Sequence, residues 1–126
     1  MEFKLEMNSI IKQYLYNFYS FVDNKISIKK IHYKNIVYIE FINRNTVLHM
    51  QNGENLNTPY PLNHWLEKLP RQYFKQIYKS LIVNFHFVND TLNKDIILYN
   101  NETLPLSKFY KKDFIEAFYK FVHSKL

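Results

Sequence analysis

Three short segments set long cations beside small polar residues, a pairing suited to holding anions and reading hydrogen-bonding edges. They are Asn43-Arg44-Asn45, Lys75-Gln76-Ile77-Tyr78-Lys79-Ser80 and Pro105-Leu106-Ser107-Lys108-Phe109-Tyr110-Lys111-Lys112. Each abuts a run of strand-forming residues, so each falls where a strand ends. Lys and Arg neutralise phosphates and release counterions, and Arg, Lys and Asn match donor–acceptor patterns on base edges. The same segments also read as ordinary solvated turns, and spacing alone leaves both readings open.

Other chemistries lack residues to carry them. There is no Cys, which excludes disulfides, thiolate metal sites and Cys nucleophiles. There is no Gly-rich phosphate loop, no His-Glu-x-x-His and no Gly-x-Ser-x-Gly. His32, His49, His64, His86 and His123 are scattered without ligand spacing. No carboxylate pair stands out for general acid–base work. The expectation is a protein that is not an enzyme and holds no metal or cofactor.

Elements must position those segments. Residues 8–22 place Ile10, Ile11, Tyr14, Leu15, Phe18, Phe21 and Val22 at helical spacing, which predicts an N-terminal helix ended by Asp23-Asn24. From Lys25 the pattern turns to short β-rich runs, roughly nine or ten strands up to about residue 110. Ile36 to Ile42 is a dense strand, and Thr46 to Met50 is another. Asn52-Gly53, with the chain's one Gly, signals a type I′ hairpin onto 54–58. Pro61 opens a short helix with Leu62, Trp65, Leu66 and Leu69 on one face, and Pro70 ends it. Residues 74–84, 85–92, 95–99 and 103–106 read as further strands, with a turn at Asn100-Asn101. A final helix is expected over 111–125, its apolar face carrying Phe114, Ile115, Phe118, Phe121 and Val122.

At 126 residues the chain has room for one domain, and 47% apolar residues supply a core. Lys+Arg is 17 against 11 acids, net +6, which points to an acidic partner or only to solubility. Residues 103–126 hold five Lys against two acids, residues 1–30 five Lys against three, and the middle is close to balanced. The wealth of Lys, Asn, Ile, Tyr and Phe is what an AT-rich genome encodes, so aromatic abundance by itself does not argue for base stacking. The mixed-charge start is no secretory signal, and no apolar run approaches the roughly 18–20 residues that span a bilayer. The final Ser124-Lys125-Leu126 spells a peroxisomal address, read here as coincidence in a sequence of bacterial character. The expected location is the cytoplasm.

Five pieces in order give residues 31–122 a resemblance to a LytTR-type DNA-binding domain, the output domain of many bacterial response regulators. Asn35-Ile36-Val37-Tyr38-Ile39-Glu40 is similar to the family's Asp-Ile-hydrophobic-Tyr-Ile-Glu strand, and residues 43–49 to the loop and strand that follow it. Leu62 to Pro70 resembles its short helix ending in Leu-Pro. Residues 74–84 resemble its Phe-x-Arg-x-His-Arg/Lys-Ser-hydrophobic-hydrophobic-Val-Asn stretch. Leu104 to Tyr110 resembles its closing Leu-Pro-Val-Ser-Arg-x-Tyr.

The resemblance implies a mainly β protein: an elongated antiparallel fold with a short inserted helix, flanked by an N-terminal and a C-terminal helix. It would enter successive major grooves of double-stranded DNA with loops. Domains would be 1–24, a helix for packing or oligomerisation, and 25–126, the DNA-binding domain with its last helix. Base contacts carry over to Arg44, Lys79 and Lys108, and phosphate contacts to Lys75, Ser80, Ser107, Tyr110 and Lys111, with Asn43, Asn45 and Tyr78 beside them. All three reading tips should share one convex side. Departures matter: Gln76 or Lys75 stands for the family's first Arg, Tyr78 for its His and Lys108 for its last Arg. Lys is a point charge where Arg is a planar fork, so guanine readout weakens. A receiver domain of about 120 residues has no room here. The chain therefore resembles stand-alone transcription regulators of the family, whose DNA sites across the family are often paired repeats. Candidate partners are a second copy and a small inhibitory membrane protein. The competing reading is a DNA-independent interaction module that antagonises another LytTR regulator.

Overall fold

The computed structural model describes residues 19–124, which form ten strands and two helices. β1 (Ser20–Asp23) and β2 (Ser27–His32) pair antiparallel across a turn at 24–26, where the sequence reading divided the chain. Helical spacing predicts a helix through Val22, but the chain is extended from Ser20 onward. Tertiary partners override the local pattern. Phe21 packs on Tyr33 and Trp65, with ring centroids 5.4 and 5.7 Å away, and the Lys68 ammonium lies 4.0 Å above its ring. The Tyr60 hydroxyl donates to the Asp23 carboxylate, fastening the strand's end. The rest of the expected N-terminal helix, residues 8–18, lies outside the described residues.

A 3-10 turn at Tyr33–Asn35 leads into β3 (Ile36–Ile42), followed by β4 (Asn45–Met50) and β5 (Asn55–Thr58). Helix α1 (Leu62–Lys68) precedes β6 (Phe74–Tyr78) and β7 (Leu81–Asn84). These five strands form one antiparallel sheet in the order β5-β4-β3-β7-β6. After a second 3-10 turn at Phe85–Phe87 come β8 (Val88–Leu92), β9 (Asp95–Leu98) and β10 (Thr103–Pro105). They make a three-stranded sheet in the order β10-β9-β8, and α2 (Lys108–Ser124) closes the described chain.

Buried branched and aromatic residues hold the layers together. Ile39, Leu48 and Ile82 from adjoining strands are fully buried, as are Trp65 of α1 and Phe114 of α2. The Trp65 indole N–H donates to Thr58 Oγ1 at 3.2 Å, so its one polar atom is satisfied. Helix α2 sets Phe114, Phe118 and Phe121 around Phe85, with ring centroids 5.4–5.6 Å away. Its aromatic face therefore packs inward, and its outer stripe leaves Ile115, Tyr119 and Val122 exposed.

Two hairpins exchange the roles that sequence suggests. Gly53 has φ +92°, but Asn52 does not share a positive φ, so the β4–β5 loop is no type I′ turn. The Gly53 N–H donates to Met50 O at 3.0 Å, and the Met50 N–H to Glu54 O at 2.9 Å. That is a three-residue loop with Gly in the left-handed position. The two-residue turn with both φ values positive lies instead at Asn43-Arg44, φ 52° and 65°.

Candidate nucleic-acid interface

Ile42 of β3 pairs with Asn45 of β4, which leaves Asn43 and Arg44 as the whole loop. Two left-handed residues match the right-handed twist of the strands they join. Asn tolerates this backbone, whereas the second position normally belongs to Gly. An Arg there costs about 1–2 kcal/mol of backbone strain. The Asn45 amide donates to Asn43 O at 3.3 Å, and all three residues are exposed. The fold thus accepts strain to hold a guanidinium at the hairpin tip, a local conflict of the kind expected at functional sites.

Lys79-Ser80 forms the tip of the β6–β7 hairpin, between paired Tyr78 and Leu81. The Phe41 N–H donates to Ser80 O at 2.9 Å, tying this tip to the end of β3. The Gln76 amide donates to Lys79 O at 3.4 Å, so Gln76 braces the loop. Because Glu40 pairs with Leu81 antiparallel, the Arg44 and Lys79 tips lie at one end of the sheet. Lys79 is exposed, while Ser80 and Lys75 are half-buried. Tyr78 is 37% exposed.

A register shift between Gln76 and Tyr78 interrupts the β6–β7 ladder, and the Ile77 carbonyl accepts the Ser107 N–H at 2.9 Å. That bond joins the third segment to the Lys79 hairpin. Ser107 Oγ accepts the Phe109 N–H at 3.2 Å and Ser107 O accepts the Tyr110 N–H at 3.0 Å, so Ser107 caps α2. The helix begins three residues before the expected position 111, and Lys108, Tyr110 and Lys111 stand on its first turn, not in a loop. That turn holds no acid. Cations at a helix N-terminus oppose its dipole, each at about 0.3–1 kcal/mol, a conflict that a nearby anion relieves. Lys108 and Lys111 are exposed. Half-buried Tyr110 lines an open groove of about 440 Å³ with Lys75, Gln76 and Arg71, while Glu67 and Asp113 face the same space.

One cation escaped the sequence reading. The Asn93-Lys94 turn joins β8 to β9, with Asn93 at φ 49°. The Leu106 N–H donates to Lys94 O at 2.7 Å, so this exposed Lys adjoins Ser107-Lys108. Its signal was present, an Asn beside a long cation between two β runs, as at Asn43-Arg44. Three backbone bonds therefore link four cationic tips: Phe41 to Ser80, Ser107 to Ile77, and Leu106 to Lys94.

Other motif residues brace the frame. The Tyr38 hydroxyl donates to Glu102 at 3.2 Å, and burial followed by the nearby Glu102 and Glu40 charges pushes its pKa upward. The Tyr38 ring stacks on His49 at 4.0 Å, and His49 Nε2 meets Glu40 at 3.0 Å. Asn84, fully buried, donates to Ile36 O at 2.8 Å and accepts the His86 N–H at 3.0 Å. His123 Nδ1 lies 2.9 Å from Tyr119 O. Among the described residues, no three His, Asp or Glu side chains gather where a metal ion could sit.

The family model described as LytTr DNA-binding domain matches residues 27–119. A solved structure from Bacillus cereus, described as the LytTr DNA-binding domain of a methyl-accepting/DNA response regulator, aligns with a TM-score of 0.65 at 19% identity. The match covers 71% of this chain and 85% of that one. At that identity the likeness is one of fold. No curated protein matches the chain.

Proposed function

Because this chain belongs to the LytTr DNA-binding domain family, we propose that it is a transcription regulator that reads specific double-stranded DNA sequences with strand-end turns. The observation that carries the reading is the linkage of four cationic tips by backbone hydrogen bonds. Arg44, Lys79 and Lys108 contact bases in successive major grooves. Lys75, Ser80, Ser107, Tyr110 and Lys111 hold phosphates, and Asn43, Asn45 and Tyr78 shape the tips that carry the readers. Arg44 alone offers the planar fork that fits guanine O6 and N7, while the lysines act as point charges.

The resemblance extends the reading to paired repeats bound by a homodimer, in the cytoplasm, under the control of a small membrane protein. The outward Ile115, Tyr119 and Val122 stripe of α2 supports a protein contact there. Among the described residues, no helix is long and apolar enough to cross a membrane.

The test is selection of bound duplexes from a random pool near physiological salt. The reading expects an enriched sequence whose affinity falls steeply with salt. Lys79→Ala and Lys108→Ala should lose discrimination between sequences, and Lys111→Ala should weaken all sequences alike. Absence of both specific and salt-dependent binding would overturn it. A second reading, an antagonist that pairs with another regulator of the family, draws on Gln76 and Lys108 where the family carries Arg. Capture of such a regulator with no DNA in the complex would favour it.

A further inference from the structure

Each cationic tip has an exposed apolar neighbour. Phe41 and Ile42, 48% and 44% exposed, end the strand that leads to Arg44. Tyr78 precedes Lys79, and Leu92, 58% exposed, stands two residues before Lys94. Phe109, which follows Lys108, is 82% exposed although it sits in the first turn of a packed helix. Five of the twelve large exposed apolar side chains among the described residues thus fall within three positions of a tip cation. The charged phosphate backbone offers such side chains little. The apolar feature of the major groove is the 5-methyl group of thymine, and aromatic or aliphatic contact with it is a recognised way to read that base.

We propose that these turns read thymine 5-methyl groups: each cation takes a phosphate or a purine edge while its apolar neighbour, Phe109 foremost, packs on an adjacent thymine methyl. The proposal rests on the DNA-reading function above and gives it a substrate class, duplexes with thymines beside the contacted purines. A protein partner is the weaker occupant for the same patch, because its surface would have to accept four interleaved cations. The outer stripe of α2 also sets Tyr119 beside Lys120 and Ile115 three residues after Lys112, but Glu116 shares that stretch, whereas no acid lies within the Arg44 and Lys79 turns. Ile28 beside Lys29 and Lys30 makes a similar pair, but only at the tips are such pairs joined to one another by backbone hydrogen bonds.

Replacing thymine by uracil deletes the methyl and keeps every hydrogen-bonding edge of the base. The experiment compares the duplex that the protein selects from a random pool with the same duplex carrying uracil, first at all thymines and then at one at a time. Burial of one methyl is worth about a fourfold change in affinity, so two contacted thymines should give roughly fifteenfold. Single replacements should weaken binding at a few positions only. Phe109→Ala should lower affinity for the thymine duplex, leave the uracil duplex unchanged and erase the uracil effect at one position. Equal affinity for both duplexes, with specific and salt-dependent binding intact, overturns the thymine reading and leaves the DNA reading standing. Absence of binding to any duplex overturns both. If Phe109→Ala and Ile42→Ala lower the sedimentation mass of the free protein and leave the thymine-to-uracil ratio unchanged, the patch is a protein interface and the proposal fails.

Discussion

Arg44 sits at φ 65° in a two-residue loop with an exposed side chain, so Arg44→Gly separates what the fold wants from what the site wants. Left-handed backbone costs a non-glycine residue about 1–2 kcal/mol. Glycine escapes that strain but loses about 0.5–1 kcal/mol more chain entropy on folding. The net gain is about 0.5–1 kcal/mol of stability, since no buried contact is lost. For a domain of this size that raises Tm by about 2–5 °C, read by thermal or urea unfolding. Arg44→Ala keeps the strained backbone and should show no such gain. In DNA binding both variants lose the fork to a base edge, about 1–3 kcal/mol, or roughly 5- to 150-fold in discrimination at one base pair. Fluorescence anisotropy with the selected duplex and its single-base variants measures that loss. An Arg44→Gly protein that is less stable than the parent would refute the strain argument. One that discriminates as well as the parent would refute the role of Arg44.

Phe114→Ala removes a fully buried ring from the Phe85 cluster and should cost about 3–5 kcal/mol, seen as a lower urea midpoint. Lys111→Ala should reduce the salt slope of binding by about one, with the sequence preference kept. Ser107→Ala removes the cap of α2 and should cost about 1 kcal/mol, with affinity falling because Lys108 loses its fixed start. The Tyr60 hydroxyl lowers the Asp23 pKa, so the contribution of that bond is present above the unfolded carboxylate pKa and fades as pH falls through the folded one. The Tm gap between wild type and Tyr60→Phe should therefore be open near pH 6 and close below the carboxylate range.

The frame was legible where one face of a strand decides the pattern. The Ile36–Ile42 run and the Trp65 helix fall where residue spacing puts them, while of the expected face of the last helix Phe114, Phe118 and Phe121 pack inward and Ile115 and Val122 stay exposed. Spacing misled at Phe21 and Val22, because partners remote in sequence, Tyr33, Trp65 and Tyr60, make that segment a strand. It misled at Asn52-Gly53 as well, since a left-handed Gly serves a three-residue loop as readily as a type I′ turn. Asn43-Arg44-Asn45 is legible as a loop between strands but not as a two-residue left-handed turn, because Arg stands in the second position despite its backbone preference. The Lys-rich stretch 108–112 opens the last helix as its sequence suggests, but the helix starts at Lys108, three residues before the expected 111, because Ser107 caps it there. Asn93-Lys94 carries the same Asn-and-cation pattern as Asn43-Arg44, but only the Leu106 bond places its turn beside Ser107. In the candidate site, then, the residue types were readable, but how the tips are joined depends on backbone bonds that no local pattern encodes.

Titration of the isotope-labelled protein with its selected duplex, followed by backbone NMR, tests most directly whether four separate turns meet one DNA. Shifts should gather at Asn43–Asn45, Lys79–Ser80, Asn93–Lys94 and Ser107–Lys111 together, and spare the hairpins at Asn52–Glu54 and Tyr99–Glu102 at the other ends of their sheets. Shifts confined to one tip, or centred on those opposite hairpins, would contradict the account.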